Sequence, residues 1–202
     1  MQIAKKYTSP FGKAIYPHLS KCDVRFKAEG EYHVDLELTD DEAQEMELLM
    51  NHLSEESVKQ AQEETSKKVI KKAPLPMKKE DGKTIFKFKM KASGVNKRTG
   101  DKFQQRPALF DSELNPINPE ETNIWGGSVI RVSYTPALWY TPMLGAGVSL
   151  RLKSVQVKTL VEGGNQSVDH GFDKVEGDTI SNENSQTDKG SNEEAMAHPA
   201  DF

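Results

Sequence analysis

Lysine and arginine side chains are the part of this sequence whose type and spacing favour a definite chemistry. Residues 83–106 hold eight Lys or Arg residues and one acid, Asp101, so their net charge is 8 − 1 = +7. Residues 84–92 alternate with a period of two, which places Lys87, Lys89 and Lys91 on one face of a strand and apolar side chains on the other. A cationic face attracts a polyanion, and the plainer alternative is a solvated lysine-rich surface.

Aromatic side chains near predicted loops supply the second component of a nucleic-acid site. Single-stranded nucleic acid is bound by a cationic groove that follows the phosphates and by rings on which bases stack. Trp139, Tyr140, Trp125 and Phe103 lie in or near such loops, so we expect exposed rings among them. The predicted nucleic-acid contacts are Lys87, Lys89, Lys91, Lys97, Arg98, Lys102, Arg106, Arg131, Trp139 and Tyr140.

The sequence shows no catalytic constellation. It contains no P-loop, no Gly-x-Ser-x-Gly and no His-Glu-x-x-His motif, and its histidines have no metal-ligand spacing; His18 and Cys22 are a lone pair four residues apart. We therefore expect a binding protein without a cofactor or a metal, not an enzyme. The runner-up is a protein-interaction adaptor that uses a helix and an acidic tail, and a carboxylate nuclease is the third alternative.

Charge divides the chain in two. Residues 1–161 hold 25 basic and 21 acidic residues, or +4, whereas residues 162–202 hold 2 and 10, or −8. The second part is rich in Gly, Asn, Ser and Gln without an apolar period, so we predict a disordered acidic tail after a folded domain at 1–161. The tail ends in Asp201 and Phe202, where a ring beside carboxylates is typical of a partner-docking tip.

The elements that must position these side chains are mostly strands. Alternation predicts strands at 31–38, 84–92, 103–111, 129–135 and 148–161, the last with a β-bulge after Ser154. Thr39 and Glu42 form a capping-box pattern, and the apolar spacing after them predicts a helix over about 40–72 that ends before Pro74. Residues 136–142 are predicted to be an aromatic loop between prolines. Short strands with bulges and one helix favour a mainly β fold built on a small closed barrel.

Compartment signals are limited to what the sequence lacks. It has one cysteine and no stretch of about 18 apolar residues, which excludes a disulfide framework and indicates no membrane segment. The first residues contain no apolar signal region, so we expect a chain in a reducing, cytosolic compartment.

Several segments, in this order along the chain, resemble one known family. They are Lys5-Lys6-Tyr7-Thr8-Ser9, Tyr32-His33-Val34-Asp35-Leu36, Thr84-Ile85-Phe86-Lys87-Phe88-Lys89, Asp111-Ser112, Gly126-Gly127-Ser128, Trp139-Tyr140, Gly145-Ala146-Gly147-Val148, Leu152-Lys153-Ser154-Val155 and the terminal Asp201-Phe202. On these segments the chain resembles the single-stranded DNA-binding proteins of T7-like phages.

The resemblance implies a five-stranded oligonucleotide/oligosaccharide-binding (OB) barrel with an inserted helix, and a homodimer. It implies binding and protection of single-stranded DNA with little sequence preference in phage replication, recombination and repair, strand annealing, and action in the cytoplasm of the infected bacterial host. The acidic tail is expected to cover the DNA groove and to recruit the polymerase and helicase-primase, with Phe202 as its critical residue. This tail is less densely acidic than those of the family, so the strength of autoinhibition stays open.

Overall fold

The computed structural model describes residues 5–66, 68–96 and 98–161. The predicted tail, with Asp201 and Phe202, lies outside the described residues, and so does Lys97. The described residues form one helix, α1 (Asp40–Thr65), and ten strands. These are β1 (Tyr7–Thr8), β2 (Gly12–Asp23), β3 (Glu31–Thr39), β4 (Met77–Glu80), β5 (Lys83–Lys91), β6 (Ser93–Val95), β7 (Lys102–Gln104), β8 (Ala108–Phe110), β9 (Val129–Thr141) and β10 (Gly145–Thr159).

Five of the strands close into a barrel. β2 pairs with β3, β3 with β5, β5 with β10, β10 with β9, and β9 returns to β2. The β5–β10 pair is parallel and the other four are antiparallel. Strand order, one parallel pair and a single long helix between strands together make an OB-type barrel, so the predicted fold class is confirmed.

Alternation along the barrel strands fills its interior. On β3, Tyr32, Val34, Leu36 and Leu38 are buried, and the intervening polar residues face outward. The other inward side chains include Phe86, Phe88, Ile130, Val132, Tyr134, Leu150 and Leu152. Each large apolar side chain removed from water contributes about 1.5–3 kcal/mol, which is why the alternation fixes which face of each strand meets solvent.

The helix begins where the sequence predicts and ends earlier. The Thr39 hydroxyl accepts a hydrogen bond from the Glu42 amide, and the Glu42 carboxylate accepts one from the Thr39 amide, which is the predicted capping box. The extension to residue 72 is wrong. Ser66 has a left-handed backbone, and Ala73 donates its amide to the Ala146 carbonyl at 2.7 Å, so the chain leaves the helix to run beside β10. The apolar side chains after α1 are too few to pack a longer helix against the barrel. The backbone amides and carbonyls there form hydrogen bonds with β10 instead.

Two further strand predictions need correction. The predicted loop at 136–142 is largely the second half of β9, whose residues through Thr141 pair with β10. Pro136 is tolerated because this half of β9 pairs with β10 alone, so the missing amide breaks no second ladder. The predicted strand at 103–111 is two strands, β7 and β8, interrupted at Pro107; the predicted bulge appears as a register shift between Leu152 and Ser154.

Among the described residues, no helix combines the length and the apolar character that a bilayer crossing requires.

Candidate nucleic-acid interface

The first barrel strand is interrupted in a way that pushes an aromatic ring outward. The pairing of β2 with β3 shifts register between Ile15 and His18 and again between His18 and Asp23. Tyr16 has φ 46°, a left-handed conformation that is unusual for a bulky residue, and Pro17 follows it. The Tyr16 side chain is 77% exposed as a result. A strained, exposed ring at a bulge is a frequent feature of functional sites.

The turn after β2 presents a cation and a second ring. Arg25 donates from Nε and Nη2 to the two Asp23 carboxylate oxygens at 3.0 and 2.9 Å, and the Arg25 amide donates to the same carboxylate. These hydrogen bonds hold the pKa of Asp23 well below its ordinary value. The guanidinium lies 5.8 Å from the Phe26 ring centre, and Phe26 is 86% exposed. The turn therefore offers a fixed charge beside an accessible ring.

Two adjoining cavities collect these side chains. One, of about 330 Å³, is lined by residues that include Tyr16, Arg25, Phe26, Lys27, Lys87 and Lys89. The other, of about 790 Å³, is lined by residues that include Lys13, Tyr16, Lys21, Arg25 and Trp125. Tyr16 and Arg25 border both, and Trp125 is 46% exposed. We call the surface marked by Tyr16, Arg25, Phe26, Lys87 and Trp125 the hairpin cleft.

The predicted lysine row, Lys87, Lys89 and Lys91, lies on β5 and faces outward, as expected from the alternation. Each ammonium group lies near a carboxylate of β3 or of the residues just before β3. Lys87 lies 3.7 Å from Asp35, Lys89 3.0 Å from Glu31 and Lys91 3.9 Å from Glu29. The row is therefore a ladder of ion pairs between β5 and the β3 side of the barrel, not a bare cationic face.

Burial alone would raise the pKa of Glu31, but hydrogen bonds from Lys27 and Lys89 outweigh it and hold this pKa below its ordinary value. The Glu31 carboxylate therefore remains charged at neutral pH and competes with any phosphate for the two ammonium groups.

The lysine row continues to a second basic surface on the other side of β5. Lys89 and Lys91 border a cavity of about 410 Å³ together with Phe103, Gln105, Arg151 and Lys153. Cations on β5 and β10 thus follow one another around the barrel from the hairpin cleft, because the two strands are neighbours and Arg151 is the register partner of Lys89.

The other predicted cationic contacts that the structure describes do not line the two cavities of the hairpin cleft. Arg98 and Lys102 lie exposed at the β6–β7 hairpin, and Arg106 pairs at 4.0 Å with Glu120. Arg131 donates to Gln156 at 2.7 Å, and its guanidinium lies 4.8 Å from the Phe11 ring centre.

The sequence predicted Trp139 and Tyr140 in a loop. In the structure both are half-buried on β9, beside α1. They line a small cavity of about 170 Å³ whose other residues include Ser57, Ala61 and Leu138. Trp139 packs so closely on Gly147 that a Cβ there would lie 2.6 Å from the indole. We call these two residues the helix-side pair; the cavity that they line contains none of the lysine row.

The family model for the single-stranded DNA-binding protein of bacteriophage T7 matches residues 10–160 of this chain. The chain belongs to this family. Its members are binding proteins rather than enzymes, as the sequence predicted. Comparison with curated proteins gives no match.

Solved structures agree with this membership. The crystal structure of gp2.5, a single-stranded DNA-binding protein encoded by bacteriophage T7, is 28% identical with a TM-score of 0.73, over 88% of this chain and 99% of that one. The single-stranded DNA-binding protein from bacteriophage Enc34 in complex with single-stranded DNA is 18% identical with a TM-score of 0.56, over 78% of this chain and 88% of that one, and it shows the same fold.

Sequence reasoning missed most of the hairpin cleft in this member of the T7 family. Tyr16, Arg25 and Phe26 were not singled out, because β2 has no clean alternation. The sequence nevertheless contains a signal. Arg25 and Phe26, a cation next to an aromatic residue, lie between Lys21 and Lys27 and shortly before Gly30. Gly30 has φ 75°, so its position requires a turn there.

Proposed function

We propose that this chain binds single-stranded DNA with little sequence preference, and that the hairpin cleft is the centre of the site. The observation that carries the proposal is the meeting of three exposed rings, Tyr16, Phe26 and Trp125, with Arg25 and Lys87 around the same two cavities. Rings accept any base by stacking, and cations accept any phosphate, so the arrangement selects for a flexible single strand rather than for a sequence.

The proposed path of the strand follows the cations. Bases stack in the hairpin cleft, and the backbone continues past Lys89 and Lys91 toward Arg151 and Lys153. Phosphates replace Asp35, Glu31 and Glu29 as partners of the lysine row along this path. The remaining predicted cations, Lys97, Arg98, Lys102, Arg106 and Arg131, add longer-range attraction, and Trp139 and Tyr140 hold α1 on the barrel.

Oligo-dT titration monitored by tryptophan fluorescence tests this proposal sharply, because the chain has two tryptophans in different places. W139F keeps only Trp125 in the cleft, and W125F keeps only Trp139 beside α1. We expect oligo-dT to quench W139F strongly and W125F weakly, with affinity falling steeply between low and moderate salt. Equal quenching of both variants, or binding insensitive to salt, would count against the hairpin cleft.

We further propose that the protein acts in phage DNA replication, recombination and repair in the infected cell's cytoplasm, that it anneals strands, and that it forms a homodimer. The charge split of the sequence, +4 before residue 162 and −8 after it, supports a tail that competes with DNA and recruits the polymerase and helicase-primase. Deletion of 162–202 should tighten DNA binding.

F202A should leave DNA binding unchanged and weaken polymerase pull-down; a normal pull-down would refute the role of Phe202.

A further inference from the structure

Three metal-ligand side chains converge on the β2–β3 hairpin. His18 and His33 are register partners across the two strands, and their ring centres lie 4.7 Å apart. Asp23 ends β2 and places its carboxylate Oδ2 3.6 Å from His33 Nε2. Spacing along the sequence does not reveal this cluster, because its members come together only through the bulged register of β2.

The donor atoms are close enough to share one ion. One donor atom from each residue lies within 4.8 Å of the others. A tetrahedral zinc ion with bonds of about 2.0–2.2 Å holds its ligand atoms about 3.4 Å apart. The His33–Asp23 distance of 3.6 Å is already close to this separation, and the donor atom of His18, a half-buried residue, lies within 4.8 Å of both. Two imidazoles and a carboxylate suit zinc and its neighbours rather than magnesium or calcium, which prefer oxygen ligands alone.

A cation already occupies the place where these donors meet. The Arg25 guanidinium bonds both Asp23 oxygens, and its Nη2 lies 3.5 Å from His18 Nε2. Arg25 is mostly exposed, so the side chain can leave without opening the core.

We propose that His18, Asp23 and His33 form a binding site for a divalent transition-metal ion of the zinc type, with Arg25 as its internal competitor. Three protein ligands leave the fourth position of a tetrahedral ion for water or for an oxygen from the adjoining cleft. Binding is measured without DNA, so a failure here leaves the proposed DNA-binding function standing.

The experiment uses the untagged full-length chain. Zinc binding is measured by calorimetry, and Co²⁺ is added separately because the intensity of its visible absorption reports a tetrahedral site. We expect one ion per chain, and binding weaker by about tenfold or more in H18N and in H33N. R25M should bind zinc more tightly than the wild type, because the competing guanidinium is gone.

Two controls keep other ligands apart from this site. H52N removes an exposed histidine of α1, and C22S removes the one thiol of the chain. Both should bind zinc as the wild type does, and circular dichroism checks that every variant is folded. Zinc affinity that is unchanged in folded H18N and H33N, or the absence of any binding in R25M, overturns the proposal.

Discussion

The hairpin cleft and the helix-side pair both contain aromatic side chains, but those side chains are exposed in the cleft and packed against a helix in the pair. In the cleft, Tyr16 and Phe26 are largely exposed beside cations. In the helix-side pair, Trp139 and Tyr140 are half-buried against small residues of α1. Both regions are aromatic, and Tyr16 and Trp139 both lie near a proline, but exposure and the neighbouring side chains differ. A ring in an aromatic-rich segment is therefore a stacking candidate only when no element packs over it.

Backbone regularity explains the difference. β2 shifts its register twice and contains a left-handed Tyr16, so the chain cannot turn that ring toward the barrel. The β9–β10 register shifts between Leu152 and Ser154 and between Val157 and Thr159, but the pairing of β9 is continuous from Ile130 to Ser133 and from Tyr134 to Thr141. This second continuous stretch carries Trp139 and Tyr140, which line a cavity together with residues of α1. Tyr16 is therefore exposed at the interrupted part of β2, whereas Trp139 and Tyr140 have packed neighbours on the continuous part of β9.

The largest expected effect is the loss of stacking from the hairpin cleft. Y16A combined with F26A should weaken oligo-dT binding by on the order of 2–6 kcal/mol, because each stacked base contributes about 1–3 kcal/mol. Gel shift and fluorescence titration measure the affinity. Y140A is the matched control on the helix side, and it should change affinity little. If Y140A weakens binding as much as the double variant does, the contrast between the two regions is wrong.

The second effect is expected in stability rather than in DNA binding. G147A places a Cβ 2.6 Å from the Trp139 indole and 2.9 Å from the Ala73 Cβ, so the helix-side pair must shift. We expect the free energy of unfolding to fall by about 1–3 kcal/mol, which urea unfolding measures. Oligo-dT affinity of the folded variant should be unchanged. G82A is the control, because no atom lies within 4 Å of its Cβ; its φ of 71° adds some backbone strain but no clash.

A third, smaller effect compares two paired lysines. Lys89 pairs with Glu31 beside the cleft, and Lys72 pairs with Glu55 on the helix side. K89Q should weaken oligo-dT binding and reduce the slope of log affinity against log salt by up to about 1, because a phosphate contact is lost. K72Q should leave both unchanged. An equal change of slope in the two variants would show that overall charge, not position, governs binding.

The smallest effect concerns the core that supports both regions. Burial, with a contribution from Tyr7, raises the pKa of Tyr134 to about 12. An unfolded tyrosine ionises near pH 10, so from pH 10 to 12 the unfolded chain loses a proton that the folded chain keeps, and stability falls as pH rises. Y134F removes this loss, which amounts to about 1 kcal/mol near pH 11. Urea unfolding of both proteins near pH 8 and pH 11 measures it; a pH dependence shared equally by Y134F would assign it to other groups.

Alternation predicted the regular strands and failed at the irregular one. β3 and β5 bury every second residue, so their faces could be read from the sequence. β2 buries Ala14, Leu19, Ser20 and Asp23, a spacing that fits neither period, so the first barrel strand was not predicted. β2 was missed and β2 carries Tyr16 of the hairpin cleft, for the same reason. Its bulges interrupt the apolar alternation and also expose the Tyr16 ring.

The lysine row was predicted, but its partners were not. Strands at 31–38 and 84–92 were both recognised, whereas their antiparallel register, which sets His33 opposite Lys89 and Asp35 opposite Lys87, is a tertiary property. The convergence of His18, Asp23 and His33 depends on register in the same way. A single sequence indicates which side chains face outward on each strand, and only the pairing of strands shows which of them meet.

The ion-pair ladder between β3 and β5 has a consequence for how the protein leaves DNA. Salt ions driven off a lysine by a phosphate diffuse into the bulk, but Asp35 and Glu31 are covalently part of the barrel and stay within reach of Lys87 and Lys89. A departing phosphate is thus replaced at once by an attached substitute, which discourages rebinding. A single strand bound along this path should therefore dissociate faster than one bound by lysines without carboxylate partners.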